Sequence, residues 1–134
     1  SRLSPQLQEE ARIAAERSKQ YAGVQVNFCL NYGGRAEIVR AAQQFAQDCV
    51  DGKCKPENLT EERLSNLMYS AGIPDPELVI RPGGELRTSN FLLWQSAYAE
   101  YYFTDVLWPD FGPKELDKAI AAYQQRNRRF GGAK

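Results

Sequence analysis

At 134 residues the chain has the length of one domain or a large part of one, and a 43% hydrophobic content can build a real core. Seventeen Lys and Arg balance seventeen Asp and Glu, which argues against a dedicated nucleic-acid binder with its basic excess. No apolar run is long enough to span a bilayer and nothing at the N-terminus reads as a signal peptide. The odd set Cys29, Cys49 and Cys54 lacks metal-ligand spacing, which points to a reduced, cytoplasmic setting.

Ser4-Pro5 predicts a helix start, with serine as N-cap and proline at the first helical position. Leu3, Leu7, Ala14, Ser18 and Tyr21 share one face, and Gly23 suits the C-cap. Val24 to Leu30 alternates and then turns apolar, as a strand entering a covered sheet does. Asn31-Tyr32-Gly33-Gly34-Arg35 reads as a strand-to-helix turn. The helix after it runs to about Val50, with Ile38, Ala42, Phe45 and Cys49 on one face. A polar loop, Asp51 to Pro56, leads to a third helix. Thr60 caps it, Leu59 can staple onto Leu64, Leu64, Leu67 and Met68 face inward, and Gly72 ends it. Ile73-Pro74-Asp75-Pro76 cannot be helical and delivers the chain to a strand at Leu78–Arg81.

The stretch from Ile80 to Phe111 organises the rest. Arg81-Pro82-Gly83-Gly84-Glu85 predicts a glycine-rich turn, followed by Arg87 and a helix whose N-cap is Thr88 or Ser89. Tyr101 to Val106 is β-branched and aromatic enough for a third strand. Gly112-Pro113 starts the last helix, with Leu116, Ala119, Ile120 and Tyr123 inward. Arg126, Arg128 and Arg129 complement the dipole at its end. The alternation implies an α/β fold, a largely parallel sheet flanked by helices. Ligands in such sheets bind outside the C-terminal strand ends, where both glycine-rich turns are expected.

Arg81, Arg87 and Ser89 are the main candidate site. Two planar, permanently charged guanidinium groups flank a flexible turn and an expected helix N-terminus, a combination suited to a multiply charged oxyanion such as a diphosphate. The alternative is a turn with solvated arginines and an ordinary N-cap. Glu85 lies between the arginines, where it can orient them or face solvent. Glu100 is a lone carboxylate between aromatic groups, and a buried charge there needs a partner. Trp108-Pro109-Asp110-Phe111 is rigid and aromatic, as core packing at a turn often is.

The same stretch resembles the C-terminal signature of the cis-prenyltransferases, the undecaprenyl diphosphate synthase family. The matching residues are Ile80-Arg81, Gly83-Gly84-Glu85, Arg87, Ser89 to Gln95, Ala97-Tyr98, Glu100, Tyr102-Phe103 and Trp108 to Phe111. Leu30 to Arg35 and Arg128 to Gly132 agree, so the resemblance covers nearly the whole chain. Pro82 stands where the family usually has threonine. The family's N-terminal part, an Asp-Gly-Asn motif on a phosphate-binding loop with the catalytic aspartate and a nearby histidine, has no counterpart here, and the chain contains no histidine.

The resemblance implies that residues 1–134 are the C-terminal portion of a single cis-prenyltransferase domain, incomplete relative to the full family fold and inactive alone. The implied function is sequential cis-condensation of isopentenyl diphosphate onto an allylic diphosphate to give a long-chain polyprenyl diphosphate. Arg81, Arg87, Thr88 and Ser89 would hold the isopentenyl diphosphate, supported by Glu85, Trp108 and Asp110. Glu100 would help to bind Mg²⁺, and the catalytic residues would lie outside this chain. The resemblance also implies a homodimer, no nucleic acid, no transmembrane segment, and room for peripheral membrane contact during product release. A rival reading is a non-catalytic partner subunit of a heteromeric cis-prenyltransferase, although such subunits tend to lose the arginines and serine kept here.

Overall fold

The computed structural model of the chain describes residues 3–126. It divides into two compact units, Ser1–Tyr32 and Gly33–Lys134. In the first, α1 spans Pro5–Ser18, with Ser4 Oγ accepting from Leu7 N at 3.2 Å. The predicted start is therefore observed. The end is earlier than expected: Lys19, rather than Gly23, is the C-cap, and no α1 residue is buried. The predicted strand at residues 24–30 is not formed. The segment joins no ladder among the described residues, and Val24 and Phe28 are 92% and 82% exposed. A strand exists only through its partners, and alternation cannot supply them.

In the second unit, α2 spans Gly34–Val50, α3 Glu61–Ser65, β1 Leu78–Arg81, β2 Glu100–Phe103 and α4 Pro113–Gln124. Short 3₁₀ turns occupy Pro56–Asn58 and Trp108–Asp110. The strands pair in parallel, with Leu78 opposite Glu100 and Arg81 opposite Phe103. Helix α4 packs on β2 and α3 packs on α2. The α/β class and the parallel pairing agree with the sequence, as do Thr60 capping α3 and Gly112-Pro113 opening α4. Arg128 and Arg129 lie outside the described residues.

Other expectations need correction. The buried stripe of α2 is Gly34, Glu37, Ala41 and Phe45, whereas Ala42 is exposed. Glu37 is 1% exposed, the largest fully buried side chain among the described residues. Its Oε1 accepts from Tyr69 N (2.7 Å) and its Oε2 from Gln95 Nε2 (3.1 Å), and Gln95 Nε2 also meets Ser70 Oγ at 2.8 Å. One turn along, Arg40 donates to Leu67 O and lies over the Tyr69 ring, 4.3 Å from its centre. These bonds hold residues 67–70 as turns and stop α3 after five residues, far short of Gly72. Met68 is buried, while Leu64 and Leu67 are half-buried.

Residues 89–98 form turns rather than the predicted helix. Ser89, Asn90 and Leu92 have φ of 49°, 67° and 45°, outside the right-handed helical region. Tertiary bonds again win over local propensity. Asn90 reaches α2, Gln95 reaches Glu37, and Trp94 Nε1 donates to Ser65 Oγ at 2.9 Å.

Candidate functional site

Side chains on alternate strand positions share a face. The parallel register therefore puts Val79 and Arg81 of β1 beside Tyr101 and Phe103 of β2. The Tyr101 and Phe103 rings stack with centres 5.8 Å apart. A cleft of about 340 Å³ opens over this face, lined also by Arg87, Thr88, Phe91 and Trp108. That volume falls in the range of small-molecule sites, which span about 300–1,000 Å³.

The cleft is lined by two kinds of group. Arg81 and Arg87, with Thr88, supply cationic and polar donors, and Val79, Phe91, Tyr101, Phe103 and Trp108 supply apolar and aromatic walls. Arg81 Nε is buried with no hydrogen-bond partner. Leaving a buried donor unpaired costs about 1–3 kcal/mol, a penalty that an incoming oxyanion can relieve. Arg87 pairs with Glu85, and both side chains are largely solvent-accessible, so water screens the pair and Arg87 can exchange its partner.

The glycine turn contributes in an unexpected way. Gly83 and Gly84 adopt φ of 90° and 72°, which glycine accepts without a Cβ penalty. Their N–H groups donate to Val106 O (2.8 Å) and Thr104 O (2.9 Å), so they clamp the turn to the segment after β2 and are not free for a ligand. The start of α2 is likewise closed. Gly33, its N-cap, has no side chain to offer, and Asn90 takes over: Gly34 N donates to Asn90 O at 2.8 Å and Arg35 N to Asn90 Oδ1 at 2.9 Å. What the cleft offers an anion is therefore its side chains rather than these N–H groups.

Of the expected site residues, Arg81, Arg87, Thr88 and Trp108 come together at the cleft. Ser89 adjoins it in sequence but is not part of its lining, and it begins no helix. Asp110 sits exposed on the 3₁₀ turn, also outside the lining. Glu100 begins β2, three residues before Phe103, so roughly 10 Å of strand separates it from Phe103, which lies opposite Arg81. It accepts from Arg126 Nη1 at 2.8 Å. No group of three or more His, Cys, Asp or Glu side chains that could hold a metal occurs among the described residues.

Sequence reasoning left three contributors without a role: Phe91 in the cleft wall, Asn90 as the cap of α2, and Glu37 beneath the turns. Glu37 was detectable, because it shares the i, i+4, i+8 stripe with Ala41 and Phe45.

A family model described as "Putative undecaprenyl diphosphate synthase" matches residues 1–131. The chain belongs to the undecaprenyl diphosphate synthase family. It is 50% identical over 135 residues to an isoprenyl transferase of Streptococcus pneumoniae strain R6, covering 98% of this chain and 54% of that protein. An isoprenyl transferase of Streptococcus agalactiae serotype V is 52% identical over 122 residues, covering 88% and 49%. Among solved structures, lavandulyl diphosphate synthase from Lavandula x intermedia, in complex with dimethylallyl diphosphate, superposes with a TM-score of 0.94 at 38% identity. That match covers 98% of this chain and 56% of the other. A probable undecaprenyl diphosphate synthase from Campylobacter jejuni gives 0.82 at 34% identity, covering 98% and 59%. The chain thus spans about half the length of the curated relatives it matches. No helix among the described residues is long and apolar enough to cross a membrane.

Proposed function

We propose that this chain supplies the isopentenyl diphosphate side of a cis-prenyltransferase site, as the C-terminal portion of one catalytic domain. The observation that carries this reading is the mixed lining of the cleft, in which Arg81, Arg87 and Thr88 stand among aromatic and aliphatic walls. A diphosphate ester of a short branched hydrocarbon combines the same two chemistries. Membership of a prenyltransferase family supports the choice over a generic phosphate binder.

In the reaction, the carbon–oxygen bond of an allylic diphosphate breaks and diphosphate leaves. The double bond of isopentenyl diphosphate attacks the allylic carbon, and loss of a proton creates the new cis double bond. Repeated condensation lengthens the polyprenyl chain. Arg81 and Arg87 hold the isopentenyl diphosphate by charge-assisted hydrogen bonds, with Thr88 and the adjacent Ser89 as further donors. Glu85 keeps the Arg87 guanidinium oriented until substrate arrives. Phe91, Tyr101, Phe103 and Trp108 pack against the isopentenyl group and align it. Any magnesium would need ligands beyond Glu100. The residues that ionise the allylic partner are expected from sequence other than these residues, so the 134 residues alone should not turn over. A homodimer is the assembly expected of the working enzyme.

The test uses a full-length family enzyme carrying this sequence. Arg87→Ala should raise the Michaelis constant for isopentenyl diphosphate by about ten- to a hundredfold, the effect of removing a hydrogen bond to a charged group, and leave that of the allylic substrate nearly unchanged. Arg87→Lys should restore only part of the loss, because an ammonium cannot reproduce the planar fork. Equal losses for both substrates would indicate damage to the fold, and no loss would refute the assignment.

A further inference from the structure

We propose that Cys49 and Cys54 form a reversible disulfide, a thiol modification site at the C-terminal end of α2. The helix end builds the pair. Gly52 N donates to Cys49 O (3.1 Å) and Lys53 N to Asp48 O (2.9 Å), the paired bonds of a Schellman stop. Gly52 takes φ of 73°, which reverses the chain and returns residue 54 to the helix. Lys53 Nζ fastens the tip to Asp51 at 2.9 Å and to Asp48 at 3.4 Å. The result is two thiols with their sulfurs 3.3 Å apart, both half-buried, neither sealed in the core nor fully open.

The pair has no part in the cleft. A metal role lacks a ligand set, since these two thiols have no third ligating group clustered with them among the described residues. Exchange chemistry fits the two sulfurs as they stand. A low-molecular-weight disulfide such as oxidised glutathione is attacked by one cysteine thiolate, giving a mixed disulfide and one released thiol. The second cysteine, as thiolate, then attacks the protein sulfur of that mixed disulfide and releases the second thiol. The two cysteines lose two electrons and two protons, and the oxidant is reduced to two thiols. Proximity makes the second step intramolecular and fast relative to capture by solution thiols. Burial, reinforced by Cys54 and Asp48 against the opposing pull of Arg63, raises the Cys49 thiol above its ordinary value. That effect favours the thiol form at neutral pH and slows attack on an oxidant.

The test is equilibration of the full-length protein, in a Cys29→Ser background, across reduced and oxidised glutathione ratios, read by alkylation and intact mass. The expected result is one transition in which both thiols lose reactivity together and the mass falls by two hydrogen atoms. Cys49→Ser should instead accumulate a glutathione adduct on Cys54, because the resolving thiol is gone. Circular dichroism of the variant verifies folding, and Cys54→Ser gives the reciprocal adduct on Cys49. Three results would overturn the proposal: both thiols remaining alkylatable at every ratio, stable glutathione adducts on the unsubstituted pair, or a disulfide found only between two protein molecules.

Discussion

The two glycine pairs, Gly33-Gly34 and Gly83-Gly84, look alike in the sequence and are used for different reasons. A Cβ on Gly34 would lie 3.1 Å from Leu93 N and 3.2 Å from Asn90 O, so the position is glycine because backbone occupies the space. Its dihedral partner is ordinary: Gly33 is extended, with φ of −157°. Gly83 has nothing within 4 Å of an added Cβ, yet its φ is 90°, so the position is glycine because of the turn. One pair permits close approach and the other permits a left-handed bend. The N–H groups of Gly34, Gly83 and Gly84 are not open to a ligand, since Asn90, Thr104 and Val106 take them. A glycine-rich turn beside arginines can thus serve an anion site by shaping the backbone, while the binding is done by side chains.

The largest effect should come from Gly34→Ala. Its Cβ would crowd Leu93 and Asn90, and overpacking of this kind costs about 1–3 kcal/mol, which urea unfolding should show. Gly83→Ala should cost about 1–2 kcal/mol, the penalty of a left-handed residue with a Cβ. Its open surroundings mean that the less strained Gly83→Asn should recover part of that loss, whereas Gly34→Asn should be worse than Gly34→Ala. If the two positions respond alike, the distinction between space and dihedral fails. Asn90→Gly should be mildest, about 0.5–1.5 kcal/mol for loss of one hydrogen bond, because glycine keeps the φ of 67° and the carbonyl at position 90 still accepts from Gly34. Hydrogen exchange at Arg35 N should quicken in that variant, and an unchanged rate would remove Asn90 from the capping role.

The legible parts of the fold were those governed by local chemistry. Ser4-Pro5, Thr60 and Gly112-Pro113 marked helix starts through caps and fixed φ, and Leu78–Arg81 stood out as a short apolar run between breakers. The failures came where tertiary bonds decide. Leu64 to Met68 and Phe91 to Trp94 have helical composition, but Glu37, Arg40 and Asn90 commit their backbones and side chains elsewhere. Val24 to Leu30 has strand composition without a ladder. Arg81 and Arg87, singled out by residue type and spacing, both line the cleft. The aromatic wall depends on which residues of β2 lie opposite β1, and pairing register is not written in either strand alone.

The most direct test of side-chain rather than backbone recognition is isothermal titration of isopentenyl diphosphate into the full-length protein, its Arg87→Ala variant and its Gly83→Ala variant, each verified as folded. The account predicts that Arg87→Ala weakens binding by about ten- to a hundredfold, while Gly83→Ala stays near the unsubstituted affinity despite its lower stability. The reverse order, with Gly83→Ala losing binding and Arg87→Ala keeping it, would contradict it.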